Sequence, residues 1–262
     1  MKRCPWTGRD ALRTAEVDGA RWLAHARLWR PGGDDALTTD AGVETAVILL
    51  SGTFDLVGNG TAWPARGARK TPFQGRPMAV FLPPGAELRA ENGPADGSGE
   101  LLLVGARQPE LPPPAQGREG LSRKPLLPLA GSGKSYDPAS GEWRPAETFP
   151  TAAESLPSRR FERLPVGDTF VDRVFAPGYA GGGQVRVPAG AARAPAAVPA
   201  PPPGDELLLF VRPAGTARVA AGERSEAVEG DAVLWLAAGE GATAVVHAAA
   251  SPCYVAIAYA PK

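Results

Sequence analysis

The sequence predicts an all-β protein built of two small barrels in tandem, and three observations carry that prediction. Residues 49–60, LLSGTFDLVGNG, and residues 211–222, VRPAGTARVAAG, repeat one pattern of strand, Gly-Thr turn and strand about 160 residues apart. Each copy is followed by two glycines bracketing an apolar run, GRPMAVFLPPG at 75–85 and GDAVLWLAAG at 230–239. Glycine (32) and proline (29) make up over a fifth of the 262 residues, a density that punctuates short strands and interrupts long helices.

The elements follow in order. Residues 20–30, ARWLAHARLWR, alternate large apolar with polar or small groups and read as the opening strand. His25 lies in it without a second ligand nearby, so it reads as a half-buried histidine satisfied by backbone. Residues 43–50 read as a buried strand, Gly52 as a turn, 53–57 as the returning strand, and Asn59-Gly60 as a hairpin signal. Residues 78–82 and 100–104 complete the first barrel, with Pro83-Pro84-Gly85 as a stiff corner between them.

From about residue 105 to 158 proline, glycine and serine replace periodicity, the composition of a linker or a surface excursion. Its aromatics Tyr136, Trp143 and Phe149 either pack down on a barrel or partner, or stay solvated. Gly131-Ser132-Gly133-Lys134-Ser135 lacks the spacing and the strand-to-helix setting of a phosphate loop. The second barrel begins near Arg160, with strands at 170–175 and 183–188, then a proline-rich loop at 192–205. Strands at 206–212, 216–220, 232–236, 244–247 and 254–259 finish it, and hardly any segment reads as helix. The expected organisation is residues 1–106 as an N-terminal barrel, 107–157 as a linker or insertion, and 158–262 as a C-terminal barrel.

Charge narrows the function classes. Lysine plus arginine equals aspartate plus glutamate at 28 each, so no global field draws nucleic acid or an anionic membrane. Neither a leader-like apolar stretch nor one long enough to cross a membrane occurs, and a soluble cytoplasmic protein is expected. Cys4 and Cys253 have no CxxC or CxxH spacing, so two reduced thiols are expected rather than a disulfide or a zinc knuckle. There is no Gly-x-Ser-x-Gly elbow and no dinucleotide fingerprint, and the whole chain carries two histidines, His25 and His247.

Residues 44–88, ETAVILLSGTFDLVGNGTAWPARGARKTPFQGRPMAVFLPPGAEL, resemble the N-terminal barrel of the 5-deoxy-glucuronate isomerases of inositol catabolism, relatives of the uronate ketol-isomerases of the pectin pathway. The resemblance continues through 158–178 and 228–260. It implies a bicupin, two jelly-roll barrels (double-stranded β-helices) in one chain, with the active site in the C-terminal barrel. In that family a proline-rich stretch ends in His-x-His, a glutamate follows in the next strand, and a further histidine follows the Gly-Asp strand. Those side chains bind one divalent metal, a Lewis acid that holds the carbonyl and hydroxyl oxygens while a proton moves between neighbouring carbons.

Here residues 188–195 read PAGAARAP, without histidine. Glu206 stands where the family's glutamate stands, the last histidine falls on Glu240 or Gly241, and His247 lies outside the set. With the imidazoles missing, no metal is expected; a weak all-oxygen magnesium or calcium site of Glu206, Glu240 and Asp205 is the remaining option. As candidate catalytic residues Glu206 and Glu240 would act as a metal-free acid and base. Arg186 and Arg212, with Arg193 and Arg218 nearby, would grip the carboxylate of a sugar acid. The plainer reading pairs Glu206 with Arg186 or Arg212 as a buried ion pair. The expectation is thus a bicupin with a degenerate metal site, non-catalytic or binding a small sugar-acid-like ligand. The alternative is a divergent sugar-acid isomerase, and a third reading is a homo-oligomer that buries its barrel edges.

Overall fold

The computed structural model describes residues 1–9, 11–32, 35–58, 61–63, 69–73, 79–82, 84–94, 96–107, 134–137, 142–145, 160–166, 169–175, 186–192, 196–198, 206–237, 244–248 and 253–260. No helix occurs among them. Three short strands, β1 (Lys2–Cys4), β2 (Thr7–Arg9) and β3 (Leu12–Glu16), precede β4 (Leu23–Trp29), so the strand read as the opening one is fourth. Then come β5 (Asp35–Thr38), β6 (Val43–Ser51), β7 (Asp55–Gly58), β8 (Thr61–Trp63), β9 (Ala79–Leu82), β10 (Glu87–Glu91) and β11 (Glu100–Arg107). A hairpin of β12 (Lys134–Asp137) and β13 (Glu142–Pro145) lies within the stretch expected to lack regular structure, and its two strands pair with each other. The second half holds β14 (Arg160–Val166), β15 (Thr169–Phe175), β16 (Arg186–Ala192), β17 (Ala196–Val198), β18 (Glu206–Pro213) and β19 (Ala217–Ala221). It ends with β20 (Arg224–Val228), β21 (Ala232–Leu236), β22 (Ala244–Ala248) and β23 (Cys253–Ala260).

The repeat seen in the sequence is a repeat of topology. The first half has a six-stranded sheet ordered β2-β3-β4-β11-β6-β9 and a four-stranded sheet ordered β5-β10-β7-β8. The second half has β14-β15-β16-β23-β18-β21 in the same order, and a four-stranded sheet β17-β22-β19-β20 to match. A seventh strand extends the second large sheet: β1 pairs with β21 through Lys2↔Trp235, Arg3↔Leu234 and Cys4↔Val233. The first residues therefore join the sheet of the other half, a departure from the expected unit of residues 1–106.

The Gly-Thr turn does not make a hairpin. Strand β7 pairs with β10 and β8, not with β6, because the chain swings at Gly52 from the large sheet to the small one. Gly52 has φ 90, and a Cβ there would stand 2.8 Å from the Gly99 Cα, so only glycine fits. The equivalent crossover runs from β18 to β19. Asn59-Gly60 lies outside the described residues, but the flanking pair Gly58↔Thr61 in the β7–β8 ladder has the two-residue spacing the sequence predicted.

Apolar patterning follows from what each sheet face meets. In the four-stranded sheets one face is solvated, and β10 reads exposed, buried, exposed, buried along Glu87–Ala90. The central strands of the large sheets are buried on both faces, which is why they are continuous apolar runs: AVILL in β6, LLLV in β11 and LLLFV in β18. One parity lines the interior of each half. Val47, Leu49, Leu101 and Leu103 pack with Leu56 and Leu88, and Leu207, Leu209 and Val211 pack with Val219 and Leu234. The other parity forms one shared core in which Ile48, Leu50, Leu102 and Val104 of the first half meet Leu208, Phe210, Tyr254 and Ala256 of the second. The two large sheets thus pack on each other across this joint.

Candidate functional site

Strand β18 positions two of the residues singled out from sequence, and its period of two decides where they point. Leu207, Leu209 and Val211 face the interior of the second half, so Glu206, Leu208, Phe210 and Arg212 face the joint. Glu206 is 4% exposed. Its Oε1 accepts the backbone N–H of Arg21 at 2.5 Å, and its Oε2 those of Trp22 at 2.9 Å and Leu23 at 2.8 Å. A carboxylate is acceptor-only, so three convergent backbone donors satisfy it without a metal or an arginine. The turn that supplies these donors is itself braced by Arg107, whose side chain donates to the carbonyls of Ala20 and Leu23 and whose backbone N–H donates to the Trp22 carbonyl.

Arg212 is the other end of the fastening. Its Nε and Nη2 make a bidentate pair with Asp231 Oδ1 and Oδ2 at 2.6 and 2.7 Å, while Nη1 donates to Glu100 Oε2 across the joint. Burial pushes the guanidinium pKa down, but the hydrogen bonds to Asp231 and Glu100 outweigh that and hold it above the ordinary arginine value. Arg30 donates to Glu100 at 2.9 Å and Arg13 lies 3.6 Å from Asp231, so both carboxylates serve two arginines. Trp6 closes the cluster, with its indole N–H on the Asp231 carbonyl, its ring edge-on to Phe210 and Arg13 over its face.

The ion pair expected between Glu206 and Arg212 is corrected by this geometry. Six residues along one strand separate them by about 20 Å, beyond the reach of either side chain. Glu100 and Asp231, which the sequence reading passed over, are the true partners of Arg212. A sequence signal existed: β11 and β18 both open as Glu-Leu-Leu-Leu, and a charge in register with a buried apolar parity needs a partner on the facing sheet.

Of the other candidates, Arg186 begins β16 opposite Tyr259 in β23, but its side chain lies outside the described residues, as do Glu240, Asp205 and Arg193. Arg218 is solvent-exposed on β19. His247 pairs with Arg218 in the β19–β22 ladder, and its side chain too is outside the described set. Both cysteines are buried and free; burial raises the Cys4 thiol pKa and pushes that of Cys253 up to about 12, so neither is a nucleophile. No group of three or more histidine, cysteine, aspartate or glutamate side chains that could hold a metal occurs among the described residues.

His25 departs from its expected environment. It is 1% exposed rather than half-buried, and no backbone group bonds its Nε2 among the described residues. Its Nδ1 lies 3.4 Å from Asp40 Oδ2, the same oxygen that takes Arg27 Nη2 at 2.7 Å, and its Nε2 has no partner among the described residues. Burial, the Arg27 charge and, more weakly, that of Arg107 lower its pKa to about 4 against the opposing pull of Asp40.

Against this geometry the comparisons with known proteins can be placed. Residues 16–121 match the model of the KduI/IolB family. That match covers the first half from β4 through β11 and bears out the resemblance drawn from residues 44–88. No curated protein matches the chain. Among solved structures, an IolB-like protein from Salmonella typhimurium LT2 is 14% identical, with TM-score 0.59 over 96% of this chain and 93% of that one. AerE from Microcystis aeruginosa is 7% identical, with TM-score 0.58 over 99% of each chain. A variant of Bacillus subtilis oxalate decarboxylase is 11% identical, with TM-score 0.53 over 97% of this chain and 74% of that one. These likenesses show the fold, an all-β cupin jelly roll.

Proposed function

We propose that the protein is a cytoplasmic bicupin of KduI/IolB type that is non-catalytic or binds a small sugar-acid-like ligand, its C-terminal metal centre having been lost. The observation that carries this reading is the orientation of Glu206. The family's remaining carboxylate position faces the joint and accepts three backbone N–H groups, so it is turned away from a cation inside the barrel. The family's divalent metal does not fit the residues present: no histidine occurs in 188–195, and the inward neighbours of Glu206 are Leu207 and Leu209. Arg212, the other arm of a carboxylate grip, is committed to Asp231 and Glu100. A divergent isomerase working through Glu206 and Glu240 remains the second reading, favoured by the family match over residues 16–121. Elemental analysis of purified, dialysed protein tests the choice. Transition metal well below one equivalent is expected, and one equivalent of manganese, iron, nickel or zinc would overturn the reading.

A further inference from the structure

The interior of the first half is apolar at one end and polar at the other. Trp29, Leu49 and Leu101 lie toward the apolar end. Toward the other end one row crosses three neighbouring strands: His25 on β4 pairs with Gly105 on β11, which pairs with Thr45 on β6. Alternation places all three on the face that carries Trp29, Val47, Leu49 and Leu103, so they look inward. His25 Nε2 and Thr45 Oγ1 are both buried without a hydrogen-bond partner among the described residues. The imidazole lies over the bare Gly105, where a Cβ would come within 2.6 Å of Nε2. Arg27 shares this face one pair further along, and Asp40 bonds it from the rim with a side chain 44% exposed. A buried orphan acceptor and hydroxyl in one row, with an ion pair at the mouth, is what a hydroxylated guest completes.

We propose that this end of the N-terminal barrel, His25, Arg27, Asp40 and Thr45, binds a neutral polyhydroxy compound, a sugar or sugar alcohol, by its hydroxyl groups. This goes beyond the sugar-acid reading above: it concerns a different end of the molecule and a different class of ligand. The chemistry follows from the inventory of the row. Asp40 is acceptor-only, so the proton of the neutral imidazole sits on Nδ1 toward it, leaving the Nε2 lone pair to accept a hydroxyl proton. Thr45 Oγ1 both donates and accepts, and Asp40 with Arg27 offers an acceptor and a donor to neighbouring hydroxyls. The charges of Arg27 and Asp40 cancel and the carboxylate stands at the rim, so a sugar acid is disfavoured.

The chain has two histidines, so imidazole nitrogen NMR of the full-length protein reads the site directly. Titration with D-glucitol and D-glucose is expected to shift the His25 Nε2 resonance saturably, with D-glucuronate binding far more weakly. Thr45→Val removes an unpartnered hydroxyl and keeps the fold, and is expected to weaken that binding by about three- to tenfold. An unmoved His25 signal with every neutral probe, equal binding of glucuronate, or wild-type affinity in Thr45→Val would each overturn the proposal. Metal content decides the preceding reading separately, so the two fail on different measurements.

Discussion

The two halves share one strand order, yet among the described residues the first interior holds polar groups that the second lacks. Strand β6 carries Thr45 toward its own interior, in a row with His25, whereas β18 presents Leu207, Leu209 and Val211 inward and sends Glu206 and Arg212 to the joint. Among the described residues the second interior is lined by aliphatic side chains with Met1 and Cys253, and the first retains an imidazole, a hydroxyl and an ion pair. Topology sets which strands neighbour each other; the parity of each charged residue sets whether it serves a cavity or a contact between sheets.

The largest effect expected from breaking this contrast is at Arg212. Truncation by Arg212→Ala leaves Glu100, 4% exposed, with one arginine and Asp231 with the more distant one. Equilibrium unfolding in guanidinium should show a loss of about 3–5 kcal/mol, as for other buried pairs stripped of one partner. A loss near zero would place the network in solvent and return Arg212 to the pool of ligand-binding residues.

A smaller effect sharpens the other side of the comparison. The His25 pKa, lowered from 6.5 to about 4, means the unfolded chain binds a proton in that window that the folded chain does not. Stability is therefore full above the unfolded value and falls with pH toward the folded one, by about 2 kcal/mol between roughly pH 7 and pH 5. Denaturant titrations at both pH values should show that difference in the native protein and its disappearance in His25→Asn. An equal slope in both would mean that the imidazole is not held neutral inside the first half.

Much of the fold was legible because burial wrote it into the chain. The runs in β6, β11 and β18 could hardly be anything but central strands, and the Gly-Thr repeat marked equivalent crossovers. Short amphipathic strands such as β10, ELRAE, and β20, RSEAV, were missed because half their residues face solvent and their charges resemble those of loops. The orientation of Glu206 was illegible for a different reason. In Glu-Leu-Leu-Leu-Phe-Val both parities are apolar, so alternation cannot say which face is the interior, and matching a position to a family pattern ignores the face altogether. His25 looked unremarkable because nothing near it in sequence shows that Gly105 and Thr45 stand beside it across the sheet.

Glu206 ties the two halves together, and the unfolding free energy of Glu206→Gln tests that tie most directly. Replacing a carboxylate that accepts three backbone N–H groups by an amide removes the charge assistance and turns a donor toward donors, which should cost about 2–4 kcal/mol. A change of less than about 0.5 kcal/mol, the range of an ordinary surface substitution, would contradict it.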